Sequence, residues 1–319
     1  VFLYRLKGIP HMFSKTPRVW GMIVIVTAIQ LLSTLPAAAQ TAYVQEQEQW
    51  RKDQEKDLTQ PKGWLSLAGL YWLKEGRNSL GSAATNDLVF PGTGTPPAIG
   101  VIEFHQGTAA FTAEPKVAVI IDGKAQSSAK LAADDTGAPT SLQLGSLSWN
   151  VIKRGERYGV RLRDSANPSL TSFTGMKWFP VEESFRVVAD FTAYETPRTV
   201  PITNVLGDVY QMKAPGLLKF KIGQEEFSLE PVLEDEKLFI IFRDLTSGKE
   251  TYGAGRFLYA DAAKDGKVIL DFNQSVNPPC AFTPFATCPL PPARNWLKVA
   301  IRAGELKYHE TGNGVAAEK

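Results

Sequence analysis

Residues 42–58, AYVQEQEQWRKDQEKDL, contain neither glycine nor proline and are rich in strong helix formers. Their apolar positions, Tyr43, Trp50 and Leu58, are sparse, so the pattern predicts a mostly solvated surface helix that ends at Pro61 and Gly63. Trp64, Leu65, Leu67, Leu70, Tyr71, Trp72 and Leu73 then form a dense apolar cluster expected in a core. After a turn at Glu75-Gly76-Arg77-Asn78 the chain switches to period two. Val117, Val119 and Ile121 alternate up to Asp122-Gly123, a strong hairpin signal. Leu142, Leu144 and Leu147 frame a second turn at Gly145-Ser146. Val151-Ile152 and Val160 with Leu162 flank a third at Arg154-Gly155-Glu156. Short strands with turns at this spacing predict a β-sandwich over about residues 76–165.

Residues 166–180, ANPSLTSFTGMKWFP, read as a loop ending in an apolar corner at Trp178, Phe179 and Pro180, and a domain boundary is expected there. A second β-rich unit follows. Phe185, Val187 and Ala189 alternate, as do Phe227 and Leu229. Gly207-Asp208, Ala214-Pro215-Gly216 and Gly223-Gln224 are turn signals, and Leu238 to Phe242 is an apolar run suited to a buried strand. Arg256–Ala260 and Lys267–Asn273 flank Asp265-Gly266. A hairpin with Lys264 facing Lys267 puts Phe257, Tyr259, Val268, Leu270 and Phe272 on a core face, and Arg256, Leu258, Ile269, Asp271 and Asn273 on the other. Asn295 is placed to cap a short C-terminal helix holding Trp296, Leu297, Ala300 and Ile301. The fold class is therefore mainly β: an N-terminal surface helix with a sandwich (40–165), then a second β-rich unit (166–310) and a frayed tail (311–319).

Within the first unit, GRNSLGSAATNDLVF resembles the glycine-arginine opening and the asparagine-aspartate strand of the forkhead-associated fold. Phosphothreonine readers of that family use a serine and a histidine in the following loop. Here the loop is PGTGTPPAIG and has neither, so the resemblance implies the sandwich and not phosphopeptide binding.

The 319 residues are 44% hydrophobic and 21% charged, ample for a sizeable core, and 35 basic against 33 acidic residues are interspersed. No basic run exists to neutralise phosphates, which argues against nucleic-acid binding. At the N-terminus, Lys15 and Arg18 precede an apolar run from Val19 to Leu32, and Ala37-Ala38-Ala39 offers a cleavage site before Gln40. Residues 1–39 therefore read as a signal peptide, with Met12 a candidate start inside it. The run is shorter than the ~20 residues of a membrane span. The expected destination is periplasmic or secreted, with no membrane span after cleavage; an uncleaved anchor is the alternative.

Residues 270–305, LDFNQSVNPPCAFTPFATCPLPPARNWLKVAIRAGE, concentrate the unusual chemistry. Pro278, Pro279, Pro284, Pro289, Pro291 and Pro292 rule out helix or central strand there and require a stiff loop. In an oxidising compartment Cys280 and Cys288 are expected to pair, closing a short loop for roughly 2–3 kcal/mol. Two free thiols, or a soft-metal or redox pair, are the alternatives. Two cysteines are too few for zinc, and the nearest histidine is His309.

Arg256, Asp271 and Asn273 on one sheet face, joined by Asn277 from the loop and Glu305 from the end of the expected helix, make a candidate polar site. Arg256 is a candidate partner for Glu305, and Gly253 and Gly255 would permit close approach of a ligand. The bland alternative is a structural ion pair with asparagines at turns. The segments GWLSLAGLYWLKEG, WFPVEESFRV, TSGKETYGAGRFLYA, LDFNQSVNPPCAFTPFATCPLPPARN and AGE together resemble the bacterial family of domain of unknown function 1684, over roughly residues 45–308. That resemblance implies a mostly exported protein with a β-rich body and carries no activity with it.

No nucleophile elbow, phosphate loop, zinc-helix motif or dinucleotide fingerprint occurs, so neither a cofactor nor a metal is expected. Only His105 and His309 follow the leader, which disfavours histidine-centred triads. The leading expectation is a binding or envelope-associated module for a small polar ligand, a glycan or a peptide, with Tyr252 and Phe285 as exposed aromatics. The alternative is a hydrolase pairing Asp271 with Glu305 or Asp244. A thiol-redox protein ranks last, because the proline-rich spacing is unlike Cys-x-x-Cys.

Overall fold

The computed structural model describes residues 35–92 and 94–308. The expected leader, apart from its last residues, lies outside them, as do His309 and the tail. Among the described residues no helix is long and apolar enough to cross a membrane.

Helix α1 spans Leu35–Thr59. It buries Gln47, Gln54 and Leu58, with Tyr43 and Trp50 half-buried on the same stripe. The spacing 43, 47, 50, 54, 58 is one helical face. Two of its buried positions are amides, so the stripe is hidden from a hydrophobicity reading.

Eleven strands build the first sandwich: β1 (Leu67–Trp72), β2 (Gly76–Gly81), β3 (Leu88–Val89), β4 (Gly100–His105), β5 (Thr108–Ala113), β6 (Ile120–Ile121), β7 (Lys124–Ala125), β8 (Ser128–Leu131), β9 (Leu142–Leu144), β10 (Leu147–Arg154) and β11 (Arg157–Asp164). One sheet runs β1-β11-β10-β9-β6-β7 and the other β3-β2-β4-β5-β8. Leu80, Phe90, Ile102 and Phe111 from one side meet Trp149, Val151, Val160 and Leu162 from the other. Trp149 lies edge-on to Phe90 at 5.4 Å and to Phe111 at 6.2 Å. Asp122 and Gly123 both take positive φ (46° and 79°), the requirement of a tight two-residue hairpin that their types can meet.

The second unit holds β12 (Arg186–Thr203), β13 (Val209–Ile222), β14 (Glu225–Leu229), β15 (Val232–Glu234), β16 (Lys237–Phe242), β17 (Arg256–Ala260) and β18 (Lys267–Asp271). Its sheets run β14-β13-β12-β18 and β15-β16-β17. Leu218, Phe220, Leu229, Ile240, Phe242, Leu258, Leu270 and Phe272 fill one core. Phe239 and Ile241 face the opposite way, into a cluster with Ile202, Val232, Phe257 and Cys288. Strand β16 is thus buried on both faces, which is why it reads as an unbroken apolar run.

Three expectations change. The turn at Asp265-Gly266 forms, with positive φ at both residues (51° and 70°) and two 2.9 Å backbone hydrogen bonds exchanged by Lys264 and Lys267. Its arms then part: β17 pairs with β16, while β18 pairs with β12. Each arm finds a full ladder in a different sheet, which a lone two-stranded ribbon could not match. Leu258 therefore shares a core with Val268, Leu270 and Phe272, and Phe257 leaves them. Ala214-Pro215-Gly216 is not a turn but part of β13, opposite an irregularity in β12 between Ala193 and Arg198. The C-terminal helix is absent: Ala293–Asn295 is a single 3₁₀ turn. Asn295 instead accepts the Glu230 N–H at 2.8 Å and donates to the carbonyls of Glu230 and Ile241, each at 3.0 Å.

Phe272 is fully buried, with ring contacts to Phe220 at 5.6 Å and Phe242 at 5.5 Å. Phe272→Ala is expected to lower unfolding free energy by about 3–5 kcal/mol, read from the midpoint of urea denaturation.

Candidate functional site

The polar residues singled out in the sequence separate into distinct centres. Arg256 is sealed in the second unit. Its Nη2 donates to the Ile301 carbonyl at 2.9 Å and meets Asp244 Oδ2 at 3.4 Å, and its Nη1 donates to the Ala303 carbonyl. Asp244 also accepts from Thr246 Oγ1 at 2.8 Å and from the Ile301 N–H at 2.6 Å. The expected pairing of Arg256 with Asp271, Asn273 or Glu305 does not form. Gly255, beside Arg256, takes φ +102°, and a Cβ there would meet the Phe242 carbonyl at 2.4 Å and Pro291 at 2.6 Å. The close approach it permits is by the proline loop.

Glu305 forms a second buried centre. It accepts from the Asn277 N–H at 2.8 Å and from Asn277 Nδ2 at 2.7 Å, and Nδ2 also reaches the Leu306 carbonyl at 2.7 Å. Burial outweighs these bonds and raises its carboxyl from 4.5 to about 8.

Cys280 and Cys288 are free thiols, not the expected disulfide. The loop closes through reciprocal hydrogen bonds: the Cys280 N–H donates to Cys288 Sγ at 3.1 Å, and the Cys288 N–H to Cys280 Sγ at 3.4 Å. The hydrogen bond from Cys288 lowers the Cys280 thiol, and burial raises that of Cys288. Tyr252 is half-buried over this loop, its hydroxyl 3.3 Å from the Cys280 carbonyl, and burial pushes its phenol up to about 12.

Asp271 and Asn273 do stay together, at the end of β18, and gain partners the sequence did not suggest. Tyr43 Oη donates to the Asp271 carboxylate, 2.9 Å from either oxygen, and Gln47 Nε2 donates to it at 3.2 Å. Asn273 Nδ2 donates to Asp271 Oδ1 at 3.0 Å and to Tyr43 Oη at 2.9 Å, and Arg186 Nε lies 3.8 Å from Asp271. Burial and then Asp271 raise the Tyr43 phenol well above its ordinary value. A cleft of about 300 Å³ opens beside this centre, lined among others by Tyr43, Gln47, Trp50, Gln54, Arg186 and Tyr259. Four of those six belong to α1. The signal that could have found them is the recurrence of Tyr43, Gln47, Trp50 and Gln54 on one helical face.

Residues 171–306 match the family described as "Protein of unknown function (DUF1684)". This stretch covers the second unit and the proline-cysteine loop; GWLSLAGLYWLKEG lies outside it. No curated protein matches the chain. An uncharacterized protein of Haloarcula marismortui, solved in solution by NMR, is 32% identical over 44% of this chain and 80% of its own, with a TM-score of 0.38. An FHA domain studied for phosphothreonine-dependent interactions is 15% identical, over 30% of this chain and 92% of its own, with a TM-score of 0.22. The FhaA FHA domain, solved with the intracellular domain of Rv3910, gives the same identity and TM-score over 30% of this chain and 97% of its own.

Because the folded state raises the Glu305 pKa, it holds a proton that the unfolded chain releases, so its contribution is full below about 4.5 and is lost as pH rises through about 8. Urea denaturation from pH 5 to 8.5 is expected to show stability falling with pH, and the slope is expected to flatten in Glu305→Gln. A thiol titration in denaturant without reductant is expected to count two thiols per chain, with Cys280 alkylated before Cys288 in the native protein.

Proposed function

We propose that the protein is an exported, periplasmic or secreted binding module associated with the cell envelope, and that the cleft between α1 and β18 takes a small polar ligand of the glycan class. The observation that carries this reading is the lining of the cleft. Tyr43, Trp50 and Tyr259 offer aromatic surface, while Gln54, Gln274, Asp261 and Lys237 offer donors and acceptors around it. Sugars present apolar faces rimmed by hydroxyls, and a concave site of this mixed chemistry suits them. The export half of the reading is supported by the leader-like pattern of residues 1–39.

The carboxylates considered for hydrolysis favour binding over catalysis as the reading. Asp244 is held by Arg256 and Thr246, Glu305 by Asn277, and Asp271 by Tyr43, Gln47 and Asn273. Each is buried and already carries several hydrogen bonds in its own centre.

Calorimetric titration with soluble envelope-derived oligosaccharides and peptides tests the reading. At least one oligosaccharide is expected to bind, and Trp50→Ala to weaken it about tenfold or more with helix content unchanged by circular dichroism. Failure of every sugar to bind at millimolar concentration, or equal affinity in Trp50→Ala, would overturn it.

A further inference from the structure

The sheet that lies against the second unit carries more positive charge than its surroundings balance. Strand alternation sends Val160 and Leu162 of β11 into the sandwich core. It sends Arg157, Arg161 and Arg163 to the opposite face, with Asn150 of β10 across from Arg161 and Ser148 across from Arg163. On an isolated sandwich that face would be wet. Here Arg161 is 5% exposed and Arg154 is 4% exposed. Thr287, from the loop between the two cysteines, is fully buried against them. Its Oγ1 accepts from Arg154 Nε at 2.9 Å and from Arg161 Nη2 at 3.4 Å.

Asp208 holds Arg157, and one carboxylate, Asp134, is left to serve Arg154, Arg161 and Arg163. Arg154 takes it at 2.8 Å, and the Lys153 backbone N–H donates to it at 2.9 Å. Among the described residues neither Arg161 nor Arg163 has a salt bridge, and the Nε–H of each is closed off from solvent with no acceptor. Burial, then the neighbouring Arg154 and Arg163, push the Arg161 guanidinium down to about 9, which leaves it charged at neutral pH. A buried and a half-buried like charge with no counter-charge of their own are costly, and a bound anion is the direct way to offset that cost.

The space for one is present. A cavity of about 450 Å³ is lined by Arg161 and Arg163 together with Lys62, Trp64, Ser148 and Asn150, with Asp134, already engaged by Arg154, at its edge. The Trp64 ring centroid is 5.6 Å from the Arg161 guanidinium carbon. The volume exceeds what a bare ion fills, and the Trp64 indole adds apolar wall to the charged one. We infer that this cavity binds a small organic oxyanion, a carboxylate or phosphate carried on a compact apolar body, through Arg161 and Arg163. Guanidinium nitrogens suit such a group because they present paired donors to its oxygens. The inference is independent of the cleft at α1, which shares none of these lining residues.

Titration calorimetry on the full chain, with benzoate, phenyl phosphate and neutral benzamide as probes, tests it. Benzoate or phenyl phosphate is expected to bind, about tenfold or more tightly than benzamide and more weakly as salt rises. Which of the two anions binds better distinguishes the carboxylate from the phosphate class. Arg161→Met and Arg163→Met are each expected to weaken the preferred anion about tenfold while cooperative thermal melting is kept. If Arg161→Met does not fold, the half-buried Arg163→Met carries the comparison, and the benzoate-against-benzamide contrast in the unaltered chain stands without either. Equal binding of benzamide and benzoate, anion affinity unchanged in a folded Arg163→Met, or no anion binding at millimolar concentration would overturn the inference. Arg161→Met melting higher than the unaltered chain, when that chain binds no anion, would instead assign the arginines a purely structural place.

Discussion

The second unit is organised around a charge it has taken out of water. Arg256 is fully buried, and its nitrogens reach Asp244, Ile301 and Ala303. Such a guanidinium is tolerated only where acceptors are fixed around it. Residues 296–306 provide them by running extended over the unit rather than coiling. That path carries Gly304 into the left-handed region (φ +81°) against the Ser275 and Phe272 carbonyls, where a Cβ would lie 2.5 Å and 2.8 Å away. It also delivers Glu305 to Asn277. Strand β17, Asp244 just after β16 and the C-terminal strap are therefore tied together through one side chain.

The N-terminal helix is attached by different chemistry. Its docking stripe is largely aromatic and amide, and its deepest polar contact is the Tyr43–Asp271–Asn273 triangle with Gln47. Hydrogen bonds of this kind fix position and orientation more than they add stability. The cleft beside them inherits that geometry, since α1 contributes one wall and residues of β17 and β18 much of the other. Trp50 extends the wall through an edge contact with Trp178 at 5.6 Å.

Local signals in the sequence were the legible ones. Asp122-Gly123, Gly145-Ser146, Gly223-Gln224 and Asp265-Gly266 all turn where their types demand, and the apolar run Leu238 to Phe242 is the doubly buried strand it suggested. What the sequence did not show was which sheet a strand joins. Lys264 and Lys267 face each other as expected, yet five residues away their strands belong to separate ladders. Long-range pairing decided that, not the turn. The same limit governed the site. Arg256 and Asp271 lie on strands joined by one turn, but after the arms part, Arg256 turns to Asp244 and Asp271 to a tyrosine 228 residues earlier. Gln47 and Gln54 looked solvated because burial of an amide depends on a partner that composition does not reveal. Arg161 was hidden for a related reason: an alternating strand shows which side faces the sandwich core, but not whether the other side meets water or protein.

Thr287 has a single hydroxyl oxygen, and two arginines of the first sandwich share it. The threonine sits between Cys280 and Cys288, in a hairpin-like segment braced by their backbone amides. Shifting that segment by an ångström would release both donors at once, since neither has a second side chain of the loop to fall back on. The halves of the molecule are thus joined at this point through one oxygen, carried by a loop that belongs wholly to the other half, while the Arg157–Asp208 ion pair spans the same seam elsewhere.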